Sequence, residues 1–170
     1  RALHLMMCGR LLLRPPTDVR PHTRFVVTLD QDLGLHFVDV RRFGRAWVMN
    51  TQKLEVLIGQ LGPEPLDVDF NWRCLRDGFR GRQVAVKPAL LDQRAVAGIG
   101  NIYADEALFA ARIHPETPVN RISPKKLQNL TRAIVVALES GISNQGTTFS
   151  TFETSRGEPG NNQQHLRVFR

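Results

Sequence analysis

The chain has 170 residues, 42% of them hydrophobic, with 23 Lys and Arg against 16 Asp and Glu, a formal charge of +7. That size and apolar content suit one good core or two small ones and exclude a disordered chain, while the basic balance favours a polyanionic partner. Cys8 and Cys74 are too far apart for a CxxC pair, so spacing offers neither a disulfide framework nor a metal site, and no apolar run approaches the roughly 18 residues of a spanning helix. A reduced, cytosolic setting without a membrane partner is the expectation, and the N-terminus lacks the order of a signal peptide.

In chain order, the sequence opens on Arg1 rather than Met, in mid-strand pattern, which reads as the start of a fragment. Ala2 to Arg14 is rich in Leu and Met and reads as a strand pair broken by Gly9 and ended by Pro15 and Pro16. Thr23–Leu29, Leu35–Val40 and Arg45–Met49 are further strands separated by turn residues, so the first third reads as all-β. Thr51–Gln60 reads as a helix, Leu61–Leu66 (LGPEPL) as a proline-bounded connector marking a domain boundary, and Asn71–Phe79 as a short helix. Ser123–Gln145 carries Leu127, Leu130, Ile134, Val135 and Leu138 on one stripe of a long helix. Gly146–Asn162 reads as a long mobile loop, and His165–Phe169 (HLRVF) as a strand. There is no internal repeat.

The stretch around which these elements are organised is Leu90–Pro115, LLDQRAVAGIGNIYADEALFAARIHP. A short apolar helix runs into a turn hinged by Gly98 and Gly100, and a second helix begins at Asn101. Unpaired N–H groups at such a helix start bind phosphate well, and Asn101 is able to cap the helix or reach an anion itself. Asp105 and Glu106 read as first-turn acids. The same glycines would also serve a helical hairpin that merely packs closely. A second pattern, DVRRFG over Asp39–Gly44, places Arg41, Arg42 and Phe43 at a strand end, where guanidinium groups would meet base edges and a ring would wedge between base pairs. Alone, it would sooner describe a surface arginine pair beside a core phenylalanine.

The run DQRAVAGIGNIYADEALFAARIHP closely resembles the helix-two-turns-helix element of the bacterial formamidopyrimidine-DNA glycosylase family, which removes oxidised purines such as 8-oxoguanine from DNA. The resemblance implies an α+β fold: a partial N-terminal β-sandwich (residues 1–60), a helical helix-two-turns-helix DNA-binding domain (61–146), then a lesion-capping loop and lead-in strand to a zinc finger (147–170). It implies that Gly100 and Asn101 hold DNA phosphates. The family's RRFG run implies that Arg41 enters the gap left by a flipped nucleotide and Phe43 wedges beside it, with Arg42 in the same basic group. HLMMCGR resembles the family's stretch ending in Met-Ser-Gly, which puts a third wedge residue at Met7 and a phosphate contact at His4; Met6 and Cys8 depart from the usual residues there. His22 and Arg82 match further DNA contacts. QGTTFSTFETSRGEPG resembles the loop that closes over the extruded base, with Gly146, Thr147, Thr148 and Phe149 at its start; extrusion is needed because a stacked base shields its glycosidic carbon.

The family's nucleophile is the amine of an N-terminal proline, followed by a glutamate, with a catalytic lysine later in the first domain; none of these has a counterpart here, and the resemblance puts all three upstream of Arg1. Its zinc ion sits in a C-terminal four-cysteine finger that is likewise not in the sequence. The expectation is an internal fragment of a base-excision repair glycosylase and abasic-site lyase. It should act as a monomer, bind damaged double-stranded DNA in the bacterial cytoplasm, carry no cofactor, and be catalytically inactive. The alternatives are a non-catalytic damaged-DNA-binding module, the sister endonuclease group that prefers oxidised pyrimidines, and an RNA-binding helix-turn-helix relative, which would share the glycine turn but not RRFG.

Overall fold

The computed structural model describes residues 2–6, 8–30, 32–148 and 153–169. It separates into two compact units. One comprises residues 1–54 with 143–163, and the other residues 55–142 with 164–170.

The first unit is built from strands β1 (Ala2–His4), β2 (Arg10–Arg14), β3 (Thr23–Thr28), β4 (Gly34–Val38) and β5 (Arg45–Trp47). Arg1, expected to lie in mid-strand, falls outside the described residues, and β1 is described from Ala2 onward. Val, Phe and Leu in β3 and β4 suit pleated, half-buried surfaces. Beyond the end of β3 the Asp30 carboxylate accepts the Asp32 and Leu33 N–H groups at 3.0 and 2.8 Å. All pairing is antiparallel, in one sheet of order β2-β4-β3 and a second of β1 and β5. The expected β1–β2 pair is therefore corrected: β1 takes β5 (Ala2 opposite Trp47) and β2 takes β4 (Leu12 opposite His36). Local composition identifies strands but not their distant partners. The apolar core here is small, with Leu12, Phe37 and Val38 fully buried, and a cavity of about 820 Å³ opens between Leu3, Phe25, Val27, Leu29 and Trp47.

Helix α1 (Thr51–Ile58) starts where the Asn50 side chain accepts the Lys53 N–H at 3.0 Å. In the second unit, α2 (Trp72–Gly78) is capped by Asn71, whose side chain accepts the Arg73 N–H. There follow α3 (Val86–Leu91), α4 (Asn101–Ala111), a 3-10 turn over Val119–Arg121, and α5 (Pro124–Ser143). Their apolar stripes form one continuous core that includes Leu75, Val86, Leu90, Val96, Ile99, Leu108, Leu130 and Ile134. This gives the second unit far more buried apolar surface than the first, and burial is the main stabilising contribution.

Three sequence expectations are corrected in this unit. The helix before the glycine turn lies at Val86–Leu91 and ends well short of Gly98, because Asp92 is extended and the chain continues in turns. Asn101 is the first residue inside α4, the cap position being Gly100, so Asp105 and Glu106 fall beyond the first turn. Finally, HLRVF forms no strand: a 3-10 turn over Asn162–His165 is followed by irregular chain. Its N–H groups go elsewhere. The Glu106 carboxylate accepts those of Arg167 (2.9 Å), Val168 (2.7 Å) and Phe169 (3.4 Å).

Candidate nucleic-acid interface

Between α3 and α4 the chain makes a double turn whose apolar residues, Ala95, Val96, Ala97 and Ile99, point into the core. Backbone bonds fix its outer edge to the proline connector: Gly62 N–H donates to the Gln93 carbonyl at 2.7 Å and Ala97 N–H to the Pro63 carbonyl at 3.1 Å. The Gln93 side chain braces the inside. Its Oε1 accepts the Gly98 N–H at 2.8 Å, while its Nε2 donates to the Ile99 carbonyl at 2.9 Å and the Leu91 carbonyl at 3.2 Å. Gly98 has φ +75°, a left-handed conformation that side-chain-bearing residues adopt only with strain.

Gly100 is different. Its φ of −107° suits any residue, and a Cβ there would meet no atom within 4 Å. Neither conformation nor packing inside the protein asks for glycine, and the space in front of α4 is open. Among the described residues, the N–H groups of Gly100, Asn101 and Ile102 find no acceptor, and neither does the exposed Asn101 side chain. The start of an eleven-residue helix thus presents a cluster of donors and the positive end of its dipole to solvent. Such a surface binds phosphate oxygens.

The charges beside the bend are organised. Asp92 receives Arg94 Nε and Nη2 at 3.0 Å each and Arg82 Nη1 at 2.8 Å, and Arg94, then Arg82, hold its carboxyl far below the usual carboxylate range. Arg82, expected to contact DNA, is therefore already ion-paired and half-buried. Lys87 pairs with Asp105 at 2.8 Å on the neighbouring face.

In the first unit, β4 ends at Val38 and the chain turns sharply through Asp39–Gly44. Arg41, Arg42 and Phe43 are all exposed, Phe43 to 47%, and the Arg41 guanidinium lies 4.7 Å from the centre of the Phe43 ring. The structure thus brings Arg41 and Phe43 together as one exposed pair, the cation over the ring. His22 is exposed with φ +67°, and His4 is exposed with its Nδ1 accepting the Met6 N–H at 3.2 Å. Met7, the third expected wedge residue, lies outside the described residues, as do Phe149 of the loop and Arg1, the residue before which the family's proline, glutamate and lysine are expected.

Gly146, Thr147 and Thr148 sit at the neck of the loop. Thr147 Oγ1 accepts from the buried Asn162 side chain at 3.1 Å, Thr148 Oγ1 accepts the Gly160 N–H at 2.8 Å, and the Gly146 carbonyl accepts the Asn162 N–H at 3.0 Å. These bonds tie residues 146–148 to residues 160–162. Among the described residues no three His, Cys, Asp or Glu side chains converge as metal ligands. No helix among them is long and apolar enough to cross a membrane.

Sequence reasoning missed the structural roles of Gln93, Asp39, Lys87 and Glu106. Each acts on the main chain or on a distant side chain, and the only local signal was an acid, Glu106, set among the apolar residues Ala104, Ala107 and Leu108.

The chain as a whole is similar to known proteins. Residues 61–153 match the family model of the formamidopyrimidine-DNA glycosylase H2TH domain, and residues 2–46 match that of the formamidopyrimidine-DNA glycosylase N-terminal domain. Two similar curated proteins, both formamidopyrimidine-DNA glycosylases, come from Pelotomaculum thermopropionicum (43% identical over 99% of this chain) and Moorella thermoacetica (44% over 98%). The chain spans 62% of the length of each. Among solved structures, the Lactococcus lactis protein in complex with DNA containing an abasic site superposes with a TM-score of 0.85 at 33% identity, covering 98% of this chain and 62% of that one. The Thermus thermophilus protein gives 0.83 at 36%, covering 96% and 61%.

Proposed function

The chain belongs to the formamidopyrimidine-DNA glycosylase family, and from that premise we propose that its 170 residues supply the DNA grip of a base-excision repair glycosylase and abasic-site lyase acting on oxidised purines. One observation carries the proposal: the Gln93-braced bend that leaves the Gly100, Asn101 and Ile102 amides and the Asn101 side chain without acceptors at the open start of α4. Those donors hold phosphate oxygens of a duplex. The Arg41–Phe43 pair fills the gap when a nucleotide leaves the stack, which lowers the cost of extruding it. Relatives captured on abasic-site DNA and on DNA containing Fapy-dG support a damaged duplex as the partner.

In this proposal the chain's residues bind and wedge, and the bond-breaking amine is that of the family's N-terminal Pro-Glu opening. Borohydride trapping on a lesion duplex checks this part, and a covalent adduct with the 170-residue chain would overturn it. The grip itself is tested by anisotropy of a labelled duplex carrying a tetrahydrofuran abasic analogue against an intact duplex at two salt concentrations. The expected result is steep salt dependence and a preference for the abasic duplex, with Asn101→Ala weakening both complexes and Arg41→Ala or Phe43→Ala erasing the preference. Binding unaffected by Asn101→Ala would remove the basis of the proposal.

A further inference from the structure

We propose that Asp39 is the positioning residue of the Arg41–Phe43 wedge, its buried carboxylate fixing the turn so that both side chains are presented together to the gap in a duplex. The inference rests on the wedge reading above and extends it to a residue that touches no DNA.

Asp39 is 1% exposed at the end of β4. Its Oδ1 accepts the Arg41 N–H at 3.1 Å and its Oδ2 accepts the Gly44 N–H at 2.8 Å. Each carboxylate oxygen thus takes one amide of the loop, which closes the turn from inside. From the adjacent strand, Arg24 clamps the same corner: Nε donates to the Asp39 carbonyl at 2.7 Å and Nη2 to the Val40 carbonyl at 3.3 Å. The closure holds a conformation the chain would otherwise avoid, since Arg42 sits at φ +59°. Gly44 completes it. A Cβ there would collide with Cζ of the buried Phe37 ring and lie 3.1 Å from the Asp39 carboxylate, so only a bare backbone lets this amide reach its acceptor.

A buried carboxylate is costly unless its oxygens are satisfied, and here donors from the loop's own main chain supply the bonds. Such an arrangement couples loop geometry to one acid. Asparagine is nearly isosteric but offers a single acceptor oxygen and turns an NH₂ donor toward an N–H donor, so it should release the turn without removing side-chain volume.

The test compares the unaltered chain with Asp39→Asn, Arg41→Ala and Phe43→Ala, using the abasic and intact duplexes and 2-aminopurine beside the abasic site to report unstacking. With Asp39→Asn the preference for the abasic duplex should fall at least tenfold and the 2-aminopurine rise should vanish, while intact-duplex affinity stays within twofold. If Arg41→Ala and Phe43→Ala leave the preference untouched, the wedge reading itself fails. If they abolish it and Asp39→Asn does not, the wedge stands and the role of Asp39 is refuted. Should Asp39→Asn fail to fold, amide exchange in the unaltered chain decides. Protected Arg41 and Gly44 amides support the assignment, and exchange at the rate of open loop amides overturns it.

Discussion

Replacing Gly100 with alanine separates a binding role from a structural one. At φ −107° alanine is unstrained, and its Cβ would meet no protein atom within 4 Å. Alanine is a poorer helix cap than glycine, a penalty of roughly 0.5–1 kcal/mol, and it restricts the unfolded chain, a gain of about 0.4–1 kcal/mol. The two offset, so unfolding free energy should change by no more than about 0.5 kcal/mol. For a phosphate seated on the Gly100 and Asn101 amides the same methyl stands in the way. Losing one hydrogen bond to a charged acceptor costs about 1.5–3 kcal/mol, or roughly ten- to a hundredfold in affinity. Gly98→Ala is the contrasting variant: at φ +75°, with the nearest atom 3.7 Å from the added Cβ, it should lose about 1–2 kcal/mol of stability through strain rather than collision. Urea denaturation and duplex anisotropy at one fixed salt concentration read both quantities. The reasoning is refuted if Gly100→Ala binds DNA like the unaltered chain, or if its stability falls as far as that of Gly98→Ala.

Glu106→Gln should destabilise the second unit by about 2 kcal/mol, because a buried acceptor shared by the Arg167, Val168 and Phe169 amides would lose an oxygen; proteolysis of residues 165–169 should accelerate, and unchanged cleavage would contradict the bracket. Circular dichroism should show two thermal steps, the β unit melting first, since among the described residues Leu12, Phe37 and Val38 are its fully buried apolar side chains, against the long core of the helical unit; one sharp transition would contradict this. The Gly44 amide, followed by the Arg41 and Arg42 amides and the Arg24 charge, holds the Asp39 carboxyl below its ordinary value of 3.8 against the opposing effect of burial. A depressed folded value means this contribution is complete above about pH 4 and is lost only as pH falls through the lower folded value. The Gly44 amide resonance should therefore titrate with a midpoint below 3.8; a midpoint at or above it would refute the assignment.

Much of this architecture was legible in the sequence where the signal is local. The β-branched run at Thr23–Thr28, the apolar strand at Gly34–Val38, the short helix after Asn71 and the stripe of α5 all show in residue type and spacing. What failed was non-local. HLRVF alternates like a strand, yet its donors are taken by Glu106, more than sixty residues earlier in the chain. The partners of β1 and β2 were likewise invisible, since strand composition carries no address. Of the candidate site residues, Gly98, Gly100 and Asn101 in one unit and Arg41 and Phe43 in the other are visible as patterns, and the family resemblance singles them out. The bracing roles of Gln93 and Asp39 are not visible, because a side chain that braces a backbone has the same spelling as one that faces water.

The most direct measurement is a titration of the ¹⁵N-labelled chain with an abasic-analogue duplex, following the amides of Gly100, Asn101 and Ile102. If the start of α4 holds the DNA backbone, these three should move downfield together and saturate at the affinity read by anisotropy, and Gln93→Glu should suppress the shifts. If they stay in place while the duplex binds elsewhere on the chain, the bend is only a packing device.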